Sequence, residues 1–300
     1  MSNFLPLYKQ AAAARQGPPL SGHVGLWYDK FCDCWTITDG VIAIGDTKLD
    51  WIKQASEHPC GSPDTLAESG RRRASLAERL GGRCMNFMLA SRFITGIGRS
   101  HPVENGLAWH PTLGVPFLAG SAVKGLLRAF AQTSQSDQRV TELFGPASEQ
   151  TLSVGSVICL DALPLEPVTL VPEILTPHTG LWNLHEPDAS EISLADGPAD
   201  WHSPVPVPML AVEAGIAFQF VFLPRHPIRK QQIWQDADDL ERWLTAALRD
   251  QGAGAKTSNG FGRFQPPSDT IDVSLPPRKN IDAELPARKK TDSRNANYGL

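Results

Sequence analysis

Hydrophobic and polar positions change their period several times along this chain, and each change marks an element. The apolar run from Cys84 to Ile94 reads as a strand. From Gly96 to Gly120 the chain is punctuated by Gly and Pro, as in a long loop of the kind that carries function. Val123, Leu126, Leu127 and Phe130 share one face of a helix over about 122–134, with Ser121 as its N-cap. Val154–Leu163, Met209–Val212 and Ala217–Leu223 read as strands. Asp236–Arg249 is an amphipathic helix with Leu240, Trp243, Leu244 and Leu248 inward, and a short strand ends near Phe264. Upstream, residues 24–52 alternate aromatic and polar positions, and Thr36–Ile44 predicts two short strands joined at an Asp39-Gly40 turn. A helix around Leu66–Leu80 carries Arg71, Arg72 and Arg73 and stops at Gly81-Gly82.

Without insertions the order is strand, helix, strand, strand, helix, strand. That is an α+β pattern, the ferredoxin-like (RRM-like) βαββαβ core: a four-stranded antiparallel sheet with two helices on one face. The expected organisation is an N-terminal appendage packed on the core (1–83), the core domain (84–264) with a Pro-rich insertion at 164–208, and a disordered tail (265–300) of Pro, Lys, Arg, Asp and Asn.

Composition narrows this picture. With 25 Gly and 25 Pro in 300 residues, one position in six breaks helices, so long uninterrupted helices are not expected. No window holds the ~18 consecutive apolar residues of a membrane span, and Met1–Leu20 lacks a secretory apolar run. Five cysteines, an odd count, do not make a disulfide framework. Cys32 and Cys34 are too close for a zinc knuckle and no second pair follows, so reduced thiols, a cytoplasmic location and no metal or cofactor are expected.

Charge changes the picture more. The net charge of −4 argues against a nucleic-acid partner until it is resolved along the chain. Residues 71–130 hold nine Lys or Arg against two Asp or Glu, whereas 161–220 hold nine Asp or Glu and neither Lys nor Arg. A basic segment can meet phosphates whatever the rest of the chain does, because salt confines each charge to about 10 Å. The alternative is that the basic and acidic segments fold against each other.

Two glycine-rich motifs carry candidate chemistry. In Gly114-Val115-Pro116-Phe117-Leu118-Ala119-Gly120-Ser121-Ala122-Val123-Lys124-Gly125-Leu126-Leu127-Arg128 the chain enters a helix, and N–H groups near Ser121–Val123 would favour an anion. Lys124 and Arg128 share one helical face, and Gly125 lets another backbone approach. The second motif is Gly252-Ala253-Gly254-Ala255-Lys256-Thr257-Ser258-Asn259-Gly260-Phe261-Gly262-Arg263. It is no Walker loop, because Ala255 separates Gly254 from Lys256 and the loop follows a helix. Its free N–H donors with Lys256, Thr257 and Arg263 can form an anion nest.

This pair of motifs resembles the RAMP superfamily of CRISPR-associated proteins. Within it, Asp161-Ala162, Glu173–His178, Pro204–Pro208 and the Ala255-Lys256-Thr257 loop resemble the subunit-six family of type III-B (Cmr) effector complexes, from about Val24 to Phe264. Ala119 departs from the pattern, which usually has Pro there. The resemblance implies a non-catalytic subunit of an antiviral ribonucleoprotein, near the 3′ part of the guide RNA, with guide RNA, target RNA and other Cmr subunits as partners and no membrane. It places Gly120, Ser121, Lys124, Gly125, Arg128 and Arg99, with Gly254, Lys256, Thr257, Asn259 and Arg263, along the RNA backbone. It also offers Trp182 and Trp201 in the insertion as wedges between bases. The absence of Lys and Arg there favours docking to a neighbouring subunit's basic face instead.

Backbone subunits of such complexes cleave target RNA with an Asp in the loop before the helix. Gly96–Gly120 holds no Asp, only His101, Glu104 and His110. A metal-independent endoribonuclease using His101 and His110 is one alternative, and a purely structural scaffold is another. Asp161, at a strand end, reads as a turn-capping residue.

Overall fold

The computed structural model describes residues 22–45, 47–146, 153–179, 182, 197–226, 234 and 236–267. Most of the expected tail, and residues 1–21, lie outside this range. In chain order the elements are α1 (Val24–Lys30), β1 (Trp35–Thr38), β2 (Val41–Ile44), α2 (Lys48–Ala55), α3 (Pro63–Leu80), β3 (Arg83–Leu89), α4 (Gly120–Ala131) and α5 (Asp137–Phe144). There follow β4 (Val157–Cys159), β5 (Leu163–Pro164), β6 (Leu170–Leu175), β7 (Val207–Val212), β8 (Ala217–Pro224), α6 (Ala237–Asp250) and β9 (Phe264–Gln265).

The central sheet has the order β4-β8-β3-β9, with β5 also paired to β8. Every neighbouring pair is antiparallel, and Arg83 stands opposite Phe222 while Met88 stands opposite Ala217. Helix α4 lies in the chain between β3 and β4, α6 lies between β8 and β9, and the two helices pack together.

β8 is buried at all eight positions, because both faces of the sheet are covered. Phe218, Phe220 and Phe222 join the main core with Val123 and Leu127 of α4 and Leu240 and Leu244 of α6. Val221 and Leu223 face the other way, onto Ala77 of α3. Phe93, Phe218, Phe220 and Phe264 meet edge to face, for example at 5.6 Å between Phe93 and Phe218, the arrangement that aromatic quadrupoles favour. Gln219 is the polar exception on the α3 side: its Nε2 donates to the Gly70 carbonyl at 3.2 Å. Arg73 of α3 donates to the carbonyls of Asp161 and Gln219, and burial pushes its guanidinium down to about 10. The sheet face that an RNA-recognition module leaves open is therefore closed here by α3.

The N-terminal residues expected as an appendage share the same core. Val24, Trp27 and Tyr28 of α1 and Trp51 and Ile52 of α2 are buried with the sheet residues, and Trp27 stacks on Trp51 at 3.9 Å. Both helices differ from the expected aromatic–polar alternation, since Val24, Trp27 and Tyr28 stand at helical spacing. The hairpin β1–β2 and its Asp39-Gly40 turn fall where the pattern put them.

Three strand expectations are corrected. The run from Cys84 is a strand only to Leu89. Val154–Leu163 is broken into β4 and β5, because at Asp161 and Ala162 the chain turns its polar groups toward the segment before α4. Met209–Val212 belongs to β7, which pairs along its full length with β6 of the insertion in a separate two-stranded sheet and not in the central one.

Candidate nucleic-acid interface

Helix α4 begins at Gly120, two residues before its expected start, and Ala119 is the residue that caps it. Ser121 is therefore an exposed residue of the first turn and not the cap. The cap comes from another element: Asp161 Oδ1 accepts the Gly120 N–H at 2.7 Å. The Ala119 carbonyl takes the N–H groups of Ala122 and Val123 at 2.8 and 3.0 Å. The cluster of free N–H donors expected at Ser121–Val123 is thus largely spent, and a carboxylate already meets the positive end of the helix dipole. Gly120 is required by this seat, because a Cβ there would lie 2.2 Å from the Cys159 carbonyl oxygen.

One turn further on the surface opens. Gly125 has no atom within 4 Å of where its Cβ would be. Lys124 is half-buried beside it, and Arg128 Nη1 lies 3.4 Å from the Pro146 carbonyl. Arg99 is exposed in the loop after β3.

The second glycine motif is built, not loose. Ala253 donates to Gly262, Ala255 to Ile94, Asn259 to Lys256, Gly260 to Thr257 and Gly262 to Arg92, all backbone to backbone at 2.7–3.0 Å. Gly262, at φ +68°, passes so close to Ala253 that a Cβ would stand 1.9 Å from its carbonyl oxygen. The expected nest of free donors is replaced by this ladder. Arg263 is a strut: its guanidinium holds the carbonyls of Gln251 and Thr257, the latter at 3.2 Å, which takes it out of the role of a free phosphate ligand. Lys256, in the left-handed region at φ 57°, is exposed with Asn259, while Thr257 is half-buried. Gly254, at φ +92°, rests on Ile94 and Phe93.

One short segment after β3 joins the two motifs. Thr95 Oγ1 donates to the Phe117 carbonyl at 3.0 Å, and the Ile94 carbonyl accepts from Ala255 at 2.8 Å. The α4 motif, which carries Lys124, and the Gly252–Arg263 loop, which carries Lys256, are therefore both bonded to the short segment at residues 94 and 95. Among the described residues no ion pair forms at Lys124, Arg128, Arg99 or Lys256.

The rest of the basic segment is mostly neutralised. Arg71 and Arg72 pair with Glu68, and Arg83 with Asp238 and Glu241. Arg92 pairs with Glu173 at 2.9 Å and Glu213 at 3.5 Å, so the basic and acidic segments do fold against each other at that point.

His101 and His110 are both tied to the backbone by hydrogen bonds. The His101 side chain is 2% exposed and stacks on Tyr28 at 4.3 Å, its Nε2 3.0 Å from the Tyr28 carbonyl and its Nδ1 accepting from Val103 N–H. His110 Nδ1 accepts from the N–H groups of Thr112 and Leu113 in a turn. Burial holds both imidazoles below their ordinary range. Trp182 and Trp201 are 44% and 74% exposed. Arg73 and the buried Gln219 have roles that sequence reasoning missed, and Asp161, expected to cap a turn, lies between β4 and β5 and caps α4.

Residues 86–265 match the family model for the RAMP superfamily. Two curated relatives are the Cmr6 subunits of CRISPR Cmr systems. That of Saccharolobus solfataricus is 24% identical over 165 residues, covering 54% of this chain and 49% of its own length. That of Pyrococcus furiosus is 25% identical over 235 residues, covering 59% of this chain and 66% of its own. The chain thus spans about half to two thirds of the length of these relatives. A chain in the solved type III-B Cmr-beta complex bound to cognate target RNA superposes with a TM-score of 0.56 at 20% identity, covering 74% of this chain and 71% of that one. At that identity the likeness is one of fold.

Proposed function

The chain belongs to the RAMP superfamily, and from that membership we propose that it is a Cmr6-like, non-catalytic subunit of a type III-B CRISPR ribonucleoprotein that binds guide RNA near its 3′ end in cytoplasmic antiviral defence. The observation that carries this reading is that two motifs bonded to one segment each present a lysine, Lys124 and Lys256, with no ion-pair partner among the described residues and a glycine nearby, Gly125 and Gly260, that leaves open space. Cations beside bare backbone suit a ribose-phosphate chain and offer no base-edge readout. The packing of α3 on β8 and β3 covers that sheet face, which supports a site away from it. We read the core as ferredoxin-like. The antiparallel order β4-β8-β3-β9 supports this, with α4 and α6 as the two connecting helices. The non-catalytic part rests on the burial of His101 and on the turn bonds that occupy His110.

The test is a titration of single-stranded RNAs of different sequence against the Lys124→Ala, Lys256→Ala double variant. Affinity falls by a similar factor for every sequence, and the slope of log affinity against log salt flattens by about 1.4, two contacts at about 0.7 each. Unchanged slope and affinity contradict the reading. RNA cleavage by the purified chain that is lost in His101→Ala, His110→Ala favours the endoribonuclease instead.

A further inference from the structure

The insertion departs from the sheet as a ribbon. Beyond the ends of β6 and β7, Val205 N–H donates to the Pro177 carbonyl at 3.2 Å and Ala199 N–H to the His178 carbonyl at 3.0 Å. Two histidines brace it, with His178 Nδ1 2.8 Å from the His202 carbonyl and His202 Nε2 3.0 Å from the Gly197 carbonyl. Arg92 ties its base through Glu173 and Glu213. A ribbon built this way has a defined shape, yet it holds large apolar side chains in water: Trp201 is 74% exposed, Val205 54% and Ile174 46%.

Exposed tryptophan on a braced ribbon marks a binding surface. Charge selects the occupant. From 161 to 220 there is no Lys or Arg, Asp200 adjoins Trp201, and the cation at the ribbon's base, Arg92, is already held by two carboxylates. A nucleic acid stacked on Trp201 would bring its phosphates to a surface without a free cation. A protein face carrying arginine meets the same surface favourably, since guanidinium groups stack on indole and pair with carboxylates.

We propose that the ribbon bearing Ile174, Trp201 and Val205 docks onto an arginine-bearing face of a neighbouring protein subunit and does not contact RNA. This rests on assembly into a Cmr-type particle, and the experiment separates the two. The chain is co-expressed with Cmr subunits and guide RNA, with a photoreactive benzoylphenylalanine at Trp201, and adducts are mapped by mass spectrometry. The expected adduct is a peptide of another subunit containing arginine. In parallel, Trp201→Ala with Asp200→Asn, both at surface positions, lowers the retention of this chain in the particle at least tenfold at raised salt, and Leu76→Ala at another exposed apolar site does not. If the unsubstituted chain fails to enter the particle, the assembly reading falls and takes this inference with it. If it enters and the probe labels RNA, a second copy of this chain or nothing, this inference alone is overturned.

Discussion

His101 shows how one side chain constrains chemistry. Its ring lies 4.3 Å from that of Tyr28, and its Nδ1 accepts from Val103 while Nε2 meets the Tyr28 carbonyl. The neutral tautomer with its proton on Nε2 satisfies both partners. Burial depresses its protonation in the folded protein, whereas the unfolded imidazole titrates near ~6.5. As pH falls below about 6.5 the unfolded chain binds protons first, so stability is full above that value and is lost on acidification. The melting midpoint is expected to drop between about pH 7 and pH 5, and His101→Gln to shrink that drop, His110 supplying a remainder of the same sign. A drop of unchanged size in the variant contradicts the assignment.

At the scale of elements, the start of α4 is set by β4 and β5. Asp161 caps Gly120, and the adjacent Leu118 and Ala162 exchange both backbone bonds at 3.1 and 2.8 Å. Asp161→Ala is therefore expected to cost about 1–2 kcal/mol in urea unfolding, in the range of a lost helix cap. Asp161→Asn, which keeps an acceptor oxygen, is expected to recover most of it. Equal losses in the two variants would show that the charge and not the hydrogen bond is what matters.

This junction also shows what the residues disclosed in advance. The apolar run of β8, the apolar face of α4 and the inward stripe of α6 are local patterns, and each starts within two residues of its expected place. The hairpin at Asp39-Gly40 is likewise local. The cap of α4 was not legible, because Asp161 stands 41 positions from Gly120 and only the folded sheet brings them together. The occupation of the Gly252–Arg263 donors by Ile94 and Arg92 was hidden for the same reason. Lys124 and Lys256 were singled out by their motifs, while the diversion of Arg263 to two carbonyls depends on tertiary geometry.

For the whole molecule, the net charge of −4 is the sum of regions with different roles. Much of the basic segment is spent inside the fold: Arg73 is buried against carbonyls, and Arg83 and Arg92 are paired with carboxylates. Lys124 and Lys256, without an ion pair among the described residues, sit on the two motifs bonded to residues 94 and 95, and the cation-free ribbon extends from the base held by Arg92. In this account the former meets RNA and the latter meets protein. The measurement that tests the RNA claim most directly is photocrosslinking of a thiouridine-substituted guide RNA in the assembled particle. Peptides spanning 121–128 and 254–259 are predicted to carry the adducts, whatever the guide sequence. Adducts confined to other parts of the chain, or absent from it, would contradict the account.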